Sequence, residues 1–181
     1  MNNYIGKVLP YDANELLSHL DDNSVEAIIT DPPYDLDEET KKWYHRHFLR
    51  ISRGVVIVFS PPKNQWILPA DQHCFWVKPI STKNTSKSYS NFVEMIFIYR
   101  RHVWNCNRHW SQYTNVFNDL VDNASLHKHR KPPSLIERLV LNHTNAGDII
   151  LDPFAGSFVV ADVAEKNNRL WICSDNGDDY A

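Results

Sequence analysis

Two short runs constrain this chain most. Val25–Thr30 (VEAIIT) and Gly54–Phe59 (GVVIVF) are dominated by apolar, β-branched residues with no alternating polar face. Such a run predicts a strand covered on both sides, as in parallel sheets sandwiched by helices. The first stops at Asp31-Pro32-Pro33-Tyr34 and the second at Pro61-Pro62, where prolines end ladder pairing. Helical spacing occupies Ala13–Leu20, Glu38–Ile51, Pro132–His143 and Ser157–Asn167, the third with a proline in its first turn. Further strands are expected at Lys7–Tyr11, Cys74–Val77, Phe92–Tyr99, Asp148–Leu151 and Leu170–Cys173. No helical pattern separates Cys74–Val77 from Phe92–Tyr99, which predicts a hairpin-like antiparallel pair joined by the long loop Lys78–Asn91. The alternation predicts a single α/β domain over residues 1–181, with a mostly parallel sheet, one antiparallel strand pair and helices on both faces.

Composition removes several classes. A chain of 181 residues with 43% hydrophobic content buries a core without disulfide or metal staples. Cys74, Cys106 and Cys173 are odd in number and far apart, and no His/Cys grouping has zinc-site spacing, so no metal is expected. No apolar run is long enough for a membrane span and the start MNNYIGKVLPYD has no signal-peptide pattern, so a cytoplasmic protein off the membrane is expected. Net charge is −3, yet Lys78–Trp110 holds Lys78, Lys83, Lys87, Arg100, Arg101 and Arg108 against one acid, Glu94. A second basic knot is His127-Lys128-His129-Arg130-Lys131. An acidic body with a basic middle suits a cleft facing phosphates.

Two strand ends carry candidate chemistry. Asp152-Pro153-Phe154-Ala155-Gly156-Ser157 reads as strand end, glycine turn and helix start, the place where nucleotide-like ligands lie in open α/β sheets. Asp175 ends the next strand, 19 residues after Gly156, about where an acid grips a ribose diol. At Asp31-Pro32-Pro33-Tyr34 the prolines fix the backbone and remove donors. A carboxylate and a carbonyl then face outward as two acceptors for an NH₂ group, and Tyr34 offers a flat face to a base.

Together these features resemble the amino-methylating DNA methyltransferases that use S-adenosylmethionine. Asp31-Pro32-Pro33-Tyr34 resembles their catalytic motif and Asp152–Ser157 their cofactor motif. Lys131-Pro132-Pro133, the helix after it and Ala146-Gly147-Asp148 resemble the lead-in to the cofactor strand, and Asp12 matches an acid near the cofactor adenine. The catalytic motif comes first, which is similar to the permuted β group and implies a catalytic half (1–100), a short recognition region (101–127) and a cofactor half (128–181). The resemblance implies a Rossmann-like fold and methyl transfer to the exocyclic amine of a flipped DNA base. Asp31 and the Pro32 carbonyl would hold that amine and Tyr34 would stack on the base; Asp12, Asp31, Lys131, Asp152–Ser157 and Asp175 would line the cofactor. D-P-P-Y is more typical of adenine-N6 members, with cytosine-N4 methylation as the alternative.

The pattern departs in one place. The family reads G-S-G-T after the alanine, and here Phe158-Val159 follow Gly156-Ser157. Phe158 is expected to turn into the core; a methyltransferase-like DNA-binding protein with a weak cofactor site is the rival reading, and an RNA amino-methyltransferase a third. DNA contacts are expected from Lys83, Lys87, Arg100, Arg101, Trp104, Arg108, Lys128 and Arg130. The small size resembles orphan methyltransferases of phages, and permuted members often dimerise.

Overall fold

A computed structural model of the chain describes residues 3–67, 69–78, 92–100, 103–105, 107–120 and 130–175. The elements run β1 (Lys7–Leu9), α1 (Ala13–His19), β2 (Val25–Thr30), α2 (Glu38–Ile51), β3 (Ser52–Ser60), β4 (Gln72–Val77), β5 (Val93–Tyr99), β6 (Val116–Phe117), α3 (Pro133–His143), β7 (Ile149–Asp152), α4 (Val159–Lys166) and β8 (Leu170–Ser174), with a 3-10 turn at Trp110–Tyr113. The eight strands form one sheet in the order β1-β8-β7-β2-β3-β5-β4-β6. The antiparallel pair expected from the sequence is β4–β5, and β5 is the one described strand that runs against its neighbours. This is the α/β architecture the alternation predicts.

Helices cover both faces. α1 and α2 pack Leu16, Leu17, Phe48 and Ile51 against Ile28, Val56 and Val58 of the sheet. α3 and α4 pack Leu135, Ile136, Leu139, Val159 and Val163 against Ala27, Ile29, Ile57 and Ile150 on the other side. Odd and even positions of β2 and β3 therefore serve different layers, which is why their sequences have no polar face.

The helix starts are local and the helix ends are not. Asp12 caps α1 by accepting the Glu15 N–H at 2.8 Å, and Asp37 caps α2 through the Thr40 N–H at 2.8 Å. At the other ends the orphan carbonyls are met by side chains from elsewhere. Arg50 bonds the Leu17 and Leu20 carbonyls of α1, both within 2.8 Å. Arg100 bonds the Leu49 and Ser52 carbonyls at the end of α2. Asn105 donates to the Leu141 and Thr144 carbonyls of α3, at 2.9 and 2.8 Å.

Two details differ from the sequence reading. β6 is a strand of two residues beside Phe75 and Trp76 in a region read as loop, too short for any periodicity to register. The last helix begins at Val159 rather than Ser157, because Phe158 sits in the left-handed region at φ 55°. Its ring packs with Ala155, Ala161, Cys173 and Trp171, so it does turn inward, only partly buried.

Candidate active site

β1, β8, β7 and β2 are adjacent and parallel, so their C-terminal ends share one edge. That edge collects Asp12, Asp31–Tyr34, Asp152–Ser157 and Asp175. From β7 the chain crosses through α4 to β8 on one side; from β2 it crosses through α2 to β3 on the other. The crevice between β7 and β2 is thus the switch point where open sheets take their ligands.

The β7–β8 side of the crevice is built from backbone groups, a hydroxyl and two acids. Thr30 Oγ1 donates to Asp152 Oδ1 at 2.8 Å, a buried bond between the two strand ends. The same oxygen accepts the Phe154 N–H at 3.1 Å. Burial pushes the Asp152 carboxyl up to about 7, against the pull of these two donors. The Gly156 N–H reaches Asp175 Oδ2 at 2.7 Å, tying the turn to the next strand end. Gly156 has φ +46°, and no atom lies within 4 Å of where a Cβ would stand, so open space begins at its Cα. Ala155 N–H bonds the Ser174 carbonyl at 3.0 Å and Ser174 Oγ returns to the Pro153 carbonyl at 3.2 Å. Phe154 packs edge-on to Tyr44, 5.1 Å between centroids.

The β2 side is built from charges. Lys131 Nζ pairs with Asp31 Oδ2, with Glu94 Oε1 at 2.8 Å and with the Tyr34 hydroxyl at 3.3 Å. The Tyr34 hydroxyl donates to Glu94 Oε1, and Lys78 Nζ lies 2.7 Å from Glu94 Oε2. Glu94 is 2% and Lys131 5% exposed, whereas Tyr34 is 41% exposed. Asp31 Oδ1 is buried and has no hydrogen-bond partner. A buried acceptor left unmet stands out, since most such groups are satisfied.

The environments push the two acids apart. Burial, reinforced by Glu94, raises the Asp31 carboxyl above the usual carboxylate range even though Lys131 pulls it down. Burial acts on Glu94 in the same sense, but two ammonium groups, Lys131 and Lys78, overcome it and hold Glu94 low. Divergence of this kind marks a proton-accepting group beside a permanent anion. Burial and the adjacent Asp31 and Glu94 raise the Tyr34 hydroxyl, which stays neutral.

Glu94 was not among the residues singled out as chemical. β5 runs against the other strands, so its beginning, and Glu94 with it, arrives at the edge where β2 ends. The signal was in the sequence, as a lone acid in an apolar strand and the only acid in a basic segment. Lys131, expected among cofactor residues, stands on Asp31 and Glu94 because α3 also starts at this edge.

The expected DNA contacts divide. Arg130 is near the cofactor turn, bonding the Ser157 carbonyl at 3.4 Å and Asp162 at 2.8 Å. Arg100 follows the far end of β5, about 20 Å from Glu94 along the strand, and caps α2. Trp104 stacks near His143, and Arg108 bonds Asn142 at 3.0 Å, both at the end of α3 that lies about 16 Å from its start. The structure therefore places Arg100, Trp104 and Arg108 at helix ends rather than at the crevice, with Trp104 still 39% exposed. Lys83, Lys87, Arg101 and Lys128 lie outside the described residues. Among the described residues no cluster could hold a metal ion, and no helix is long and apolar enough to cross a membrane.

Residues 63–181 match the family model described as DNA methylase. A 61-residue segment is 41% identical to the DNA adenine methyltransferase YhdJ of Escherichia coli K12, over 34% of this chain and 21% of that enzyme. The Type II methyltransferase M.HpaI of Haemophilus parainfluenzae is 26% identical over 93% of this chain and 69% of its own length. Among solved structures, the M1.HpyAVI–SAM complex superposes with a TM-score of 0.71 at 23% identity, covering 96% of this chain and 95% of that one. The cytosine-N4-specific PvuII DNA methyltransferase gives 0.76 at 16% identity, covering 94% and 85%.

Proposed function

Because the chain belongs to the DNA methylase family, which comprises N6 and N4 amino-methyltransferases, we propose that it methylates the exocyclic amine of a DNA base drawn out of the duplex, adenine N6 in the first place, with S-adenosylmethionine as donor. The observation that carries this reading is Asp31 Oδ1, buried at the mouth of the crevice with no partner of its own.

The residues fit the donor. A nucleoside needs backbone that can be approached, and Gly156 offers open space at a strand end. A ribose diol needs an acid, and Asp175 stands at the neighbouring strand end, where it accepts the Gly156 N–H. The turn Asp152–Ser157 would hold the donor, with Asp12 beside β1. When bound, S-adenosylmethionine supplies a methyl group on a cationic sulfur.

The chain's own residues do the rest. A nucleobase amine is a poor nucleophile because its lone pair is delocalised into the ring. Asp31 Oδ1 and the Pro32 carbonyl accept its two N–H bonds, which favours a tetrahedral nitrogen with the lone pair turned out of the ring plane. Holding amine and methyl donor in line lowers the barrier further. The base has to leave the stack, since its amine is otherwise inside the helix. The open ring of Tyr34 is the stacking face, and its hydroxyl, tethered to Glu94, fixes the ring's position. Forming the N–C bond would break the donor's S–C bond, leaving a neutral thioether with that electron pair, and the nitrogen's now acidic proton would pass to Asp31, whose carboxyl burial raises above the usual carboxylate range. Lys131 holds the other carboxylate oxygen in place throughout.

Aspartate at position 31 favours adenine over cytosine, since the D-P-P-Y form resembles adenine-N6 members. The test is methyl transfer from isotope-labelled S-adenosylmethionine to unmethylated DNA, with nucleosides identified by mass and Asp31→Ala run in parallel. N6-methyladenine that falls at least a thousandfold in the variant is the expected result. N4-methylcytosine would keep the mechanism and change the base. DNA binding without transfer would replace the reading with a non-catalytic DNA-binding protein.

A further inference from the structure

We propose that Lys41 and Asn64 are positioning residues for the Asp31–Tyr34 loop: a buried ammonium on α2 sets the orientation of one amide, and that amide holds the loop by its backbone. The role as a base platform rests on the proposed function; the strut itself does not.

Lys41 is 2% exposed, rare for a lysine, and nothing in the mechanism above uses it. Its ammonium donates to Asn64 Oδ1, to the Gln65 carbonyl at 3.0 Å and to Glu38 at 3.3 Å. Glu38 is 68% exposed, so the pair with it is largely screened. An apolar side chain would fill this site without losing hydration energy. The ammonium adds direction. An asparagine amide has nearly the same shape either way round, and only its partners decide which end is oxygen. With a cation on one side, Oδ1 must face Lys41 and Nδ2 must face away.

Facing away, Nδ2 meets the loop. It donates to the Tyr34 carbonyl at 2.8 Å and the Leu36 carbonyl at 3.2 Å. Asn64 is itself fixed behind the end of β3, where Ser60 Oγ approaches its carbonyl at 3.3 Å. The loop is thus held at three points: Asp31 by Lys131, residues 34 and 36 by Asn64, and Asp37 by its cap on α2. Tyr34, 41% exposed, can present a defined ring face only if its backbone is fixed, and Asn64 fixes it.

Asn64→Asp separates this role from a merely structural one. The variant keeps a partner for Lys41, now as a full ion pair, but turns two donors into acceptors facing two carbonyls. We expect a melting temperature no lower than the parent's and unchanged S-adenosylmethionine affinity. Backbone 15N order parameters at residues 34–37 should fall, with kcat at least tenfold lower and KM for DNA changed less. Lys41→Met, which frees the amide to turn, should move the order parameters and kcat in the same direction. Unchanged loop order parameters in Asn64→Asp would overturn the strut, and lower order parameters with unchanged kcat would overturn the positioning role. A parent protein that transfers no methyl group would sink the proposed function instead, and the loop order parameters would still decide the strut.

Discussion

Two carboxyl groups stand at neighbouring strand ends, and their surroundings treat them differently. Asp152 is 3% exposed and meets only neutral donors, a threonine hydroxyl and a backbone N–H. Asp31 keeps 27% of its side-chain surface and meets the ammonium of Lys131. Burial raises both. Among the described residues no cation pairs with Asp152, and burial pushes its carboxyl up to about 7. Near Asp31 a lysine answers it, and a second acid, Glu94, shares that lysine. On the function proposed above, a turn that holds the donor needs shape and backbone donors, and a loop that holds the amine needs a carboxylate whose charge can change without loss of the site.

The contrast can be broken from the charged side first. Lys131→Met leaves Asp31 without a cation and Glu94 with only Lys78. Removing one member of a buried pair costs about 3–5 kcal/mol, so urea denaturation at pH 8 should show a loss of that size. The deficit should shrink toward pH 5 as Asp31 takes up a proton. A pH-independent loss would mean that packing over Phe59, not charge, is what Lys131 supplies.

The Asp152 side gives an effect of the opposite sign. A carboxyl near 7 in the folded state is far above its ordinary value of 3.8. Below 3.8 the folded and unfolded chains are both protonated there, and the stabilising contribution is complete. As pH rises the unfolded chain ionises first, so stability falls by up to about 1.4 kcal/mol per pH unit until Asp152 itself ionises near 7. Asp152→Asn keeps both accepted bonds and removes that slope. It should match the parent near pH 4 and exceed it by a few kcal/mol at pH 8. Parallel denaturation curves would show that the crevice floor carries charge after all.

The smallest effect lies at the turn itself. Phe158 holds φ 55°, a conformation that costs a side-chain-bearing residue about 1 kcal/mol or more. Phe158→Gly gives up a partly buried ring and relieves that cost; Phe158→Ala gives up the ring with no relief. The glycine variant should therefore be about 1 kcal/mol more stable than the alanine variant, read from their thermal midpoints. The reverse order would place the turn outside the left-handed region.

Much of the fold was legible because its signals are local. Val25–Thr30 and Glu38–Ile51 carry their boundaries in adjacent residues: prolines after the strand, Asp37 before the helix. Both motif turns were legible as strand ends. What could not be read was order across the sheet. Only that order puts Glu94 of β5 and Lys131, just before α3, beside Asp31, a hundred residues from the lysine in sequence. Arg100, Trp104 and Arg108 have partners at helix ends that the sequence does not announce. Their types suit base and phosphate contacts, yet helix ends also demand donors, and no local pattern says which demand wins. Lys41 gave no warning at all, since a lysine on an amphipathic helix is ordinarily solvated.

The hydrogen bond between Thr30 and Asp152 spans 122 positions, and it has a consequence for synthesis from the N-terminus. The strand that fills the gap beside β2 is the last but one to be made, and β1 bonds only to β8, the last. A growing chain that has completed β2 and β3 therefore carries a bare hydrogen-bonding edge on β2 until residue 149 emerges. The two halves of the crevice come together only then, so order in the catalytic loop and the ability to hold a donor arrive late and in one step.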